Sequence, residues 1–243
     1  MARKFLAAAQ PFFAPLRCEA CGSDGAPGLC RTCLVQVKYV DSSACEICAL
    51  PFAAEATTPH RCARCLSLPP VYDKASAAFE FAGPVPALLH AAKFNGCRLP
   101  LKLLAECARE SFQAAVASLQ PDLLCPVPLP FFRRLRRGFN QSYLLALDLN
   151  RVLPESLPFL GGVKRKWRAP QAKKGRDARL RALRGTMRYA GRTPLKGKRV
   201  LIVDDVMTTG STAEALAREL KSSGAARVDV FALARVRPHY PAM

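Results

Sequence analysis

The stretch Val200-Leu201-Ile202-Val203-Asp204-Asp205-Val206-Met207-Thr208-Thr209-Gly210-Ser211-Thr212 decides the fold. Val200 to Val203 is a continuous apolar run, mostly β-branched, as expected of a central parallel strand covered on both faces. The run delivers two adjacent carboxylates to its C-terminal end, and a Thr-Thr-Gly-Ser-Thr loop then opens a helix predicted over 211–223 and stopped by Gly224. Backbone N–H groups and hydroxyls at a helix N-terminus converge on one point and form a phosphate cradle. Gly210 permits close approach of the backbone. Carboxylates beside a phosphate would repel it, so Asp204 and Asp205 must face hydrogen-bond donors or a cation. Ribose hydroxyls or hydrated Mg²⁺ fit. Strand, acid pair and loop together read as a 5-phosphoribose site at the C-terminal edge of a sheet, where open α/β folds bind ligands. The plainer alternative is an Asp-rich strand end whose Thr and Ser residues cap the next helix.

The flanking segments alternate in period. Residues 226–236 read as a second apolar strand. Residues 139–153 are helical, with Gly138 before them and Pro154 after them. Residues 122–128 form a short apolar run bounded by prolines and suit a buried strand ending in a stiff turn. The spacing of Leu101, Leu104, Ala105, Ala108, Phe112 and Val116 predicts one long helix over 99–119. Residues 85–94 read as a shorter helix and 75–81 as a short strand. Strands alternating with helices imply an α/β fold with a parallel sheet.

Eight of the eleven cysteines form four Cys-x-x-Cys pairs: Cys18/Cys21, Cys30/Cys33, Cys45/Cys48 and Cys62/Cys65. Two intervening residues place both thiolates on one turn, aimed at one ion. Two such knuckles make a tetrahedral four-thiolate zinc site, and four make two. The expectation is two structural zinc ions held by these eight residues. A redox Cys-x-x-Cys is the rival reading, although one pair suffices for it; one zinc with spare thiols is another. Short connecting loops favour sequential pairing of the knuckles, and interleaved pairing stays open. His60, two residues before Cys62, is a candidate replacement for one thiolate. Residues 18–68 show too little apolar periodicity for a core of their own, so metal would supply the folding free energy. Leu68-Pro69-Pro70 reads as a linker. The expected organisation is a double zinc module over 1–68 and an α/β domain over 69–243. Cys97, Cys107 and Cys125 stand alone and suit buried apolar positions.

The chain has 243 residues, of which 50% are hydrophobic, enough for a real core and against wholesale disorder. No apolar run reaches the roughly 18 residues of a membrane-spanning helix, which argues against membrane insertion. Arg3-Lys4 followed by Phe5 to Ala9 has the start of a signal peptide, but Gln10-Pro11 end the apolar run early. Zinc-binding thiols also fit a reducing compartment, so the expected location is the cytoplasm. The formal net charge is +19, and residues 129–199 hold most of it, with 20 Lys+Arg against 3 Asp+Glu. That segment is either a solvated basic loop or an anion-binding face, and the second implies a polyanionic partner. Phe131, Phe132, Phe139, Tyr143, Trp167 and Tyr189 are interleaved with its cations. Such interleaving suits single-stranded nucleic acid; core packing of Phe131, Phe132 and Phe139 is the alternative. Trp167, between Lys166 and Arg168, is the best stacking candidate.

Residues 201–212 resemble the phosphoribosyl pyrophosphate (PRPP) motif of type I phosphoribosyltransferases. Cys125-Pro126-Val127-Pro128-Leu129, followed by Arg136-Arg137-Gly138-Phe139-Asn140-Gln141-Ser142, resembles the signature of the ComF/GntX family. These are competence-related, phosphoribosyltransferase-like proteins with an N-terminal double zinc ribbon. The likeness extends over roughly residues 16 to 237. It implies an α/β fold, a type I phosphoribosyltransferase-like parallel sheet flanked by helices, with an N-terminal double zinc ribbon.

Carried over residue by residue, the resemblance makes Asp204 and Asp205 the ribose-binding, catalytic acids. It makes Thr208, Thr209, Gly210, Ser211 and Thr212 the 5′-phosphate loop. The turn after Pro128 takes the place of the pyrophosphate loop, with Arg133, Arg134, Arg136 and Arg137 as anion contacts. Gln171 and Arg179 match the family's Gln…Arg-x-x-Asn region beside the site. The Asn position is Ala182 here, a departure that bears on turnover and not on PRPP binding. The implied ligands are PRPP with Mg²⁺. The implied setting is competence, downstream of DNA uptake, with single-stranded DNA and proteins of DNA uptake as further partners. Three functions follow as expectations. The first is a phosphoribosyltransferase, whose acceptor no residue identifies. The second is a non-catalytic single-stranded DNA-binding protein, and the third a PRPP or nucleotide sensor without turnover.

Overall fold

The apolar run at 200–203 becomes the interior of a parallel sheet with both faces covered. The structure is a computed structural model that describes residues 17–25, 28–41, 43–52, 60–94, 98–130, 135, 138–166 and 185–237. Along the chain come α1 (Arg31–Val35), α2 (Ala63–Ser67), β1 (Ala75–Glu80), α3 (Val85–Phe94), α4 (Leu99–Cys107), α5 (Arg109–Leu119) and β2 (Leu123–Pro126). They are followed by α6 (Gln141–Asn150), β3 (Val163–Arg165), β4 (Met187–Tyr189), β5 (Arg199–Met207), α7 (Ser211–Ser222) and β6 (Arg227–Arg235). The sheet order is β1-β6-β5-β2, and every pairing in it is parallel. β3 and β4 form a separate antiparallel ribbon.

The central strands sort their side chains by parity, as period-two geometry requires. Val200 and Ile202 join a layer with Ala213, Leu216, Ala217 and Leu220 of α7. Leu201 and Val203 join the opposite layer, with Leu88 of α3, Leu104 of α4, Phe112 of α5 and Leu145 of α6. That is why the run is unbroken rather than alternating.

Both edges of the sheet are covered by irregular chain, which blunts them against unwanted pairing. Beyond β1, Tyr39 bridges Phe79, with hydrogen bonds from Val40 N–H to Ala78 O (2.9 Å) and from Glu80 N–H to Lys38 O (2.8 Å). Beyond β2, Phe159 bridges Leu124, and Leu160 N–H reaches Leu124 O at 2.7 Å.

Three elements differ in extent from the expectation. The helix predicted over 99–119 divides at Ala108, whose ψ is 0°. Ala108 N–H still reaches Leu104 O, and Phe112 N–H reaches Ala108 O, both at 2.9 Å. The two halves therefore stay hydrogen-bonded across the break, and Leu101, Leu104, Ala105, Ala108 and Phe112 all stay buried. The helix predicted over 139–153 is trimmed to α6, because Asn140 is extended (φ −102°, ψ 114°) and ties its side-chain amide to Val127 O at 3.0 Å. The strand at 200–203 runs on to Met207, because β6 keeps pairing as far as Met207↔Arg235 while β2 stops at Pro126↔Val203. Among the described residues, no helix is long and apolar enough to cross a membrane.

Candidate functional site

The unequal lengths of the strands create the site. Past Val203, β5 has no neighbour on the β2 side within the sheet, so Asp204 and Asp205 stand at its C-terminal edge. The vacated flank is taken by the N-terminus of α6. Ser142 Oγ donates to Asp204 Oδ1 at 3.1 Å, and the same oxygen accepts Asp205 N–H at 3.0 Å. Asp205 Oδ1 accepts Val206 N–H at 2.9 Å, and Asp205 Oδ2 lies 2.7 Å from Lys93 Nζ on α3. Burial, reinforced by the charge of Asp205, pushes the Asp204 carboxyl well above the usual carboxylate range. The pair thus has one acid that resists ionisation and one already matched with a cation. Such a pair is suited to ribose hydroxyls or to a divalent ion, and Lys93 shows that the position accepts positive charge.

Thr208 to Thr212 form the turn from β5 into α7. Gly210 occupies the N-cap at φ +75°, so no side chain caps the helix. A helix N-terminus without a capping side chain suits an anion. Thr209 Oγ1 and Ser211 Oγ are 2.7 Å apart, and Ser211 N–H points to Thr209 Oγ1 at 3.4 Å. A Cβ on Gly210 would come within 2.8 Å of Met207 Cε and 3.4 Å of Tyr72 Oη. Glycine is needed here for the left-handed turn and for what packs beneath it.

Several expected contacts fall on residues that the structure does not describe. Arg133, Arg134, Arg136, Arg137, Gln171 and Arg179 lie outside the described residues, as do Ala182, Trp167, Arg168, Phe131, Phe132 and Cys97. The chain on either side of these segments is described. Lys166 N–H bonds Thr186 O at 2.8 Å, so the β3–β4 ribbon holds the two ends of segment 167–184 together. An open cleft of about 820 Å³ lies between the turn after β2, α6 and β3. Phe139, Tyr143, Phe159, Lys164 and Arg165 are among the residues that line it. The Tyr143 and Phe159 rings are 5.6 Å apart, and Tyr143 is 46% exposed.

The eight knuckle cysteines gather into two clusters, Cys18/Cys21/Cys30/Cys33 and Cys45/Cys48/Cys62/Cys65, with all sulfurs in each within 4.8 Å of one another. Sequential pairing is therefore the one adopted. Zn–S bonds of about 2.3 Å give a tetrahedron with edges of about 3.8 Å. Cys21 and Cys30 Sγ are 3.8 Å apart, and Cys48 and Cys62 Sγ are 3.7 Å apart. Backbone N–H groups of Cys30 and Cys62 point to Cys18 and Cys45 Sγ, both at 3.3 Å, and so stabilise thiolates. These donor sets fit zinc. His60 instead stacks on Phe52, with centroids 3.9 Å apart, and neither cluster includes it. Cys125 is fully buried, and burial pushes its thiol up to about 12, as suits an inert apolar residue.

Sequence reasoning gave Lys93 and Ser142 no role in the site. Lys93 sits in the last turn of α3, where a cation also suits the helix dipole, so its local signal was already explained. Ser142 stood inside the Asn-Gln-Ser stretch without a role.

The profile of the family described as "Phosphoribosyl transferase domain" matches residues 140–241. The DNA utilization protein YhgH of Escherichia coli K12 is 34% identical over 215 residues, spanning 86% of this chain and 90% of that protein. Competence protein F of Haemophilus influenzae is 30% identical over 217 residues, with the same shares of 86% and 90%. A purine phosphoribosyltransferase structure from Pyrococcus horikoshii overlaps 58% of this chain and 92% of its own, at 18% identity and a TM-score of 0.36. The domain match begins at Asn140, beside the acid pair's Ser142, and spans β5, the loop and β6. With relatives alike over nearly their whole length and two four-cysteine clusters ahead of a parallel sheet, the chain belongs to the ComF/GntX family of phosphoribosyltransferase-like proteins.

Proposed function

We propose that the protein binds Mg-PRPP at the end of β5 as a phosphoribosyltransferase-type member of its family. One observation carries this reading: β5 outruns β2 and presents Asp204 and Asp205 beside the uncapped N-terminus of α7. Thr208, Thr209, Gly210, Ser211 and Thr212 take the 5′-phosphate, and the acid pair takes the ribose hydroxyls. Mg²⁺, when bound, offsets the charge of the pyrophosphate. Transfer of the phosphoribosyl group to an acceptor passes through an oxocarbenium-like transition state at ribose C1. Cations stabilise the departing pyrophosphate, the role assigned to Arg133, Arg134, Arg136 and Arg137. Isothermal titration with PRPP tests the site. Asp205→Ala loses a charged contact and should weaken binding about tenfold to a hundredfold without altering zinc content, and Gly210→Val should weaken it as well. Equal affinity in wild type and both variants refutes the assignment.

A second reading is supported by the cleft beside α6, which aromatic rings line together with Lys164 and Arg165, and by the relatives' names, which speak of DNA utilization and competence. Here single-stranded DNA crosses the mouth of the site along the basic segment, and proteins of DNA uptake are the partners. A cytoplasmic location belongs to the same proposal and rests on the eight zinc-type thiols. Thermal shift with PRPP, nucleotides and single-stranded DNA separates enzyme, sensor and DNA binder, since only a ligand of the native state raises the midpoint.

A further inference from the structure

The last residue of β6, Arg235, is 1% exposed and is among the largest fully buried side chains. Among the described residues its guanidinium pairs with no carboxylate. It donates only to carbonyls: Nε to Cys48 O at 3.0 Å, and Nη1 to Met207 O at 2.9 Å, to Thr208 O and to Val236 O at 3.1 Å. A buried charge without a counter-charge is strongly disfavoured. The knuckle that Arg235 already touches can offer concentrated negative charge. Cys45, Cys48, Cys62 and Cys65 are all buried, and Zn²⁺ held by four thiolates carries a formal charge of −2.

The other end of the fork holds the last carbonyl of β5 and the first carbonyl of the turn proposed as the phosphate loop. Tyr72 makes a second link. It is 2% exposed, shares the layer of the four cysteines and Met207, and its Oη lies 3.4 Å from where a Cβ on Gly210 would be. The first cluster has no such position. Its neighbours Ala20 and Leu29 rest on the other layer of the sheet.

We infer that Arg235 is a positioning residue that fastens the phosphate loop to the second cysteine cluster, so that metal in that cluster, and not in the first, holds the loop in its anion-binding shape. The ligand half of this inference rests on the PRPP reading above; the mechanical half does not.

Hydrogen exchange tests the mechanical half without any ligand. Cys21→Ser should leave only the second cluster loaded. Stripping that single zinc with a chelator should speed exchange of the loop peptide, residues 205–214, by tenfold or more beyond any loss of protection in peptides of α6 and β2. No change in the loop, or uniform loss across the sheet, overturns the inference. Arg235→Lys keeps the charge but not the planar fork, and should reproduce the fast loop with both zincs still bound. The ligand half is read by linkage, because coupling between two sites is reciprocal. In wild type, saturating PRPP should slow chelator extraction of one zinc about tenfold, and Cys21→Ser should retain that protected phase. PRPP that binds calorimetrically yet protects neither zinc, or both equally, overturns the coupling. PRPP that does not bind at all removes the ligand reading and leaves the exchange result to decide the rest.

Discussion

The two cysteine clusters are written with the same knuckle spacing and end in different surroundings. The first leaves Cys21 exposed and Cys30 half-buried. It lies against the helical layer, where a Cβ on Gly28 would meet Leu103 of α4 at 3.2 Å. The second buries all four thiols in the layer beneath α7 and is hydrogen-bonded into the sheet, through Ile47 O to Ala75 N–H at 2.8 Å and through Cys48 O to Arg235. Ligand geometry is local to a knuckle, since two intervening residues bring both sulfurs onto one turn. Burial is not local; it depends on which layer of the sheet receives the turn. The same motif therefore makes a peripheral clamp in one place and a piece of the core in the other.

The contrast is most open to attack by removing one ligand from each cluster. Wild type should carry about two zincs per chain, and Cys48→Ser and Cys21→Ser should carry one each. Cys48→Ser should cost the sheet at least about 3 kcal/mol, because a buried metal centre and its packing go together. Cys21→Ser should cost it about 1 kcal/mol or less. Metal analysis with chemical denaturation measures both, and equal losses would erase the distinction.

DNA binding extends the comparison to a third region. The first cluster and the chain that follows it lead to the β1 edge, while β3 follows the Leu124 edge at the other end of the sheet. Replacing Lys164, Arg165, Lys166 and Arg168 with alanine should flatten the slope of log K against log salt by up to about 3 for single-stranded DNA. Cys21→Ser should leave the slope unchanged, and Trp167→Ala should weaken binding at every salt concentration. Filter binding across a salt series reads all three, and absence of binding at low salt removes the nucleic-acid reading.

A smaller effect is expected from pH. The Asp204 carboxyl is raised to about 8 by burial and by Asp205, so the native chain holds a proton there that the unfolded chain has released. Stability should therefore fall as pH rises from about 4 to about 8, and Asp204→Asn should flatten that decline. Binding of Mg-PRPP favours the ionised acid, so affinity should rise through the same range with release of a proton. Titrations in two buffers of different ionisation enthalpy detect that proton. A stability slope identical in wild type and Asp204→Asn would assign the effect to other groups.

The smallest effect should come from Tyr72→Phe, on the second cluster's side. Among the described residues Tyr72 Oη is buried with no hydrogen-bond partner, so its removal should cost less than about 0.5 kcal/mol of stability and leave both zincs bound. A larger loss would mean that a polar contact, and not packing, joins this cluster to the loop.

The elements that sequence reading located well are those with strong local period or punctuation. α3 has the predicted bounds of 85–94, and α7 ends at Ser222, one residue short of the predicted 223. The division of 99–119 at Ala108 was not legible, because the apolar spacing continues through it. Of the site, the acid pair and the loop were legible because they are contiguous. Lys93 was not, because its partner Asp205 lies on a different element.

By itself, the sequence determined the local patterns: the paired thiols, the acids at the end of an apolar strand and the glycine turn into a helix. Each is a short-range pattern whose geometry follows from backbone periods. Only the tertiary structure decided what those residues meet. Ser142 and Asp204 are 62 positions apart, and Arg235 and Cys48 are 187 apart. Contacts at such separations are set by strand order and by which layer each turn enters, neither of which is encoded in local spacing. The register that ends β2 four residues short of β5 exposes the acids on that flank, and the layer that receives the second cluster also holds Met207 and Ala213, which flank the glycine turn.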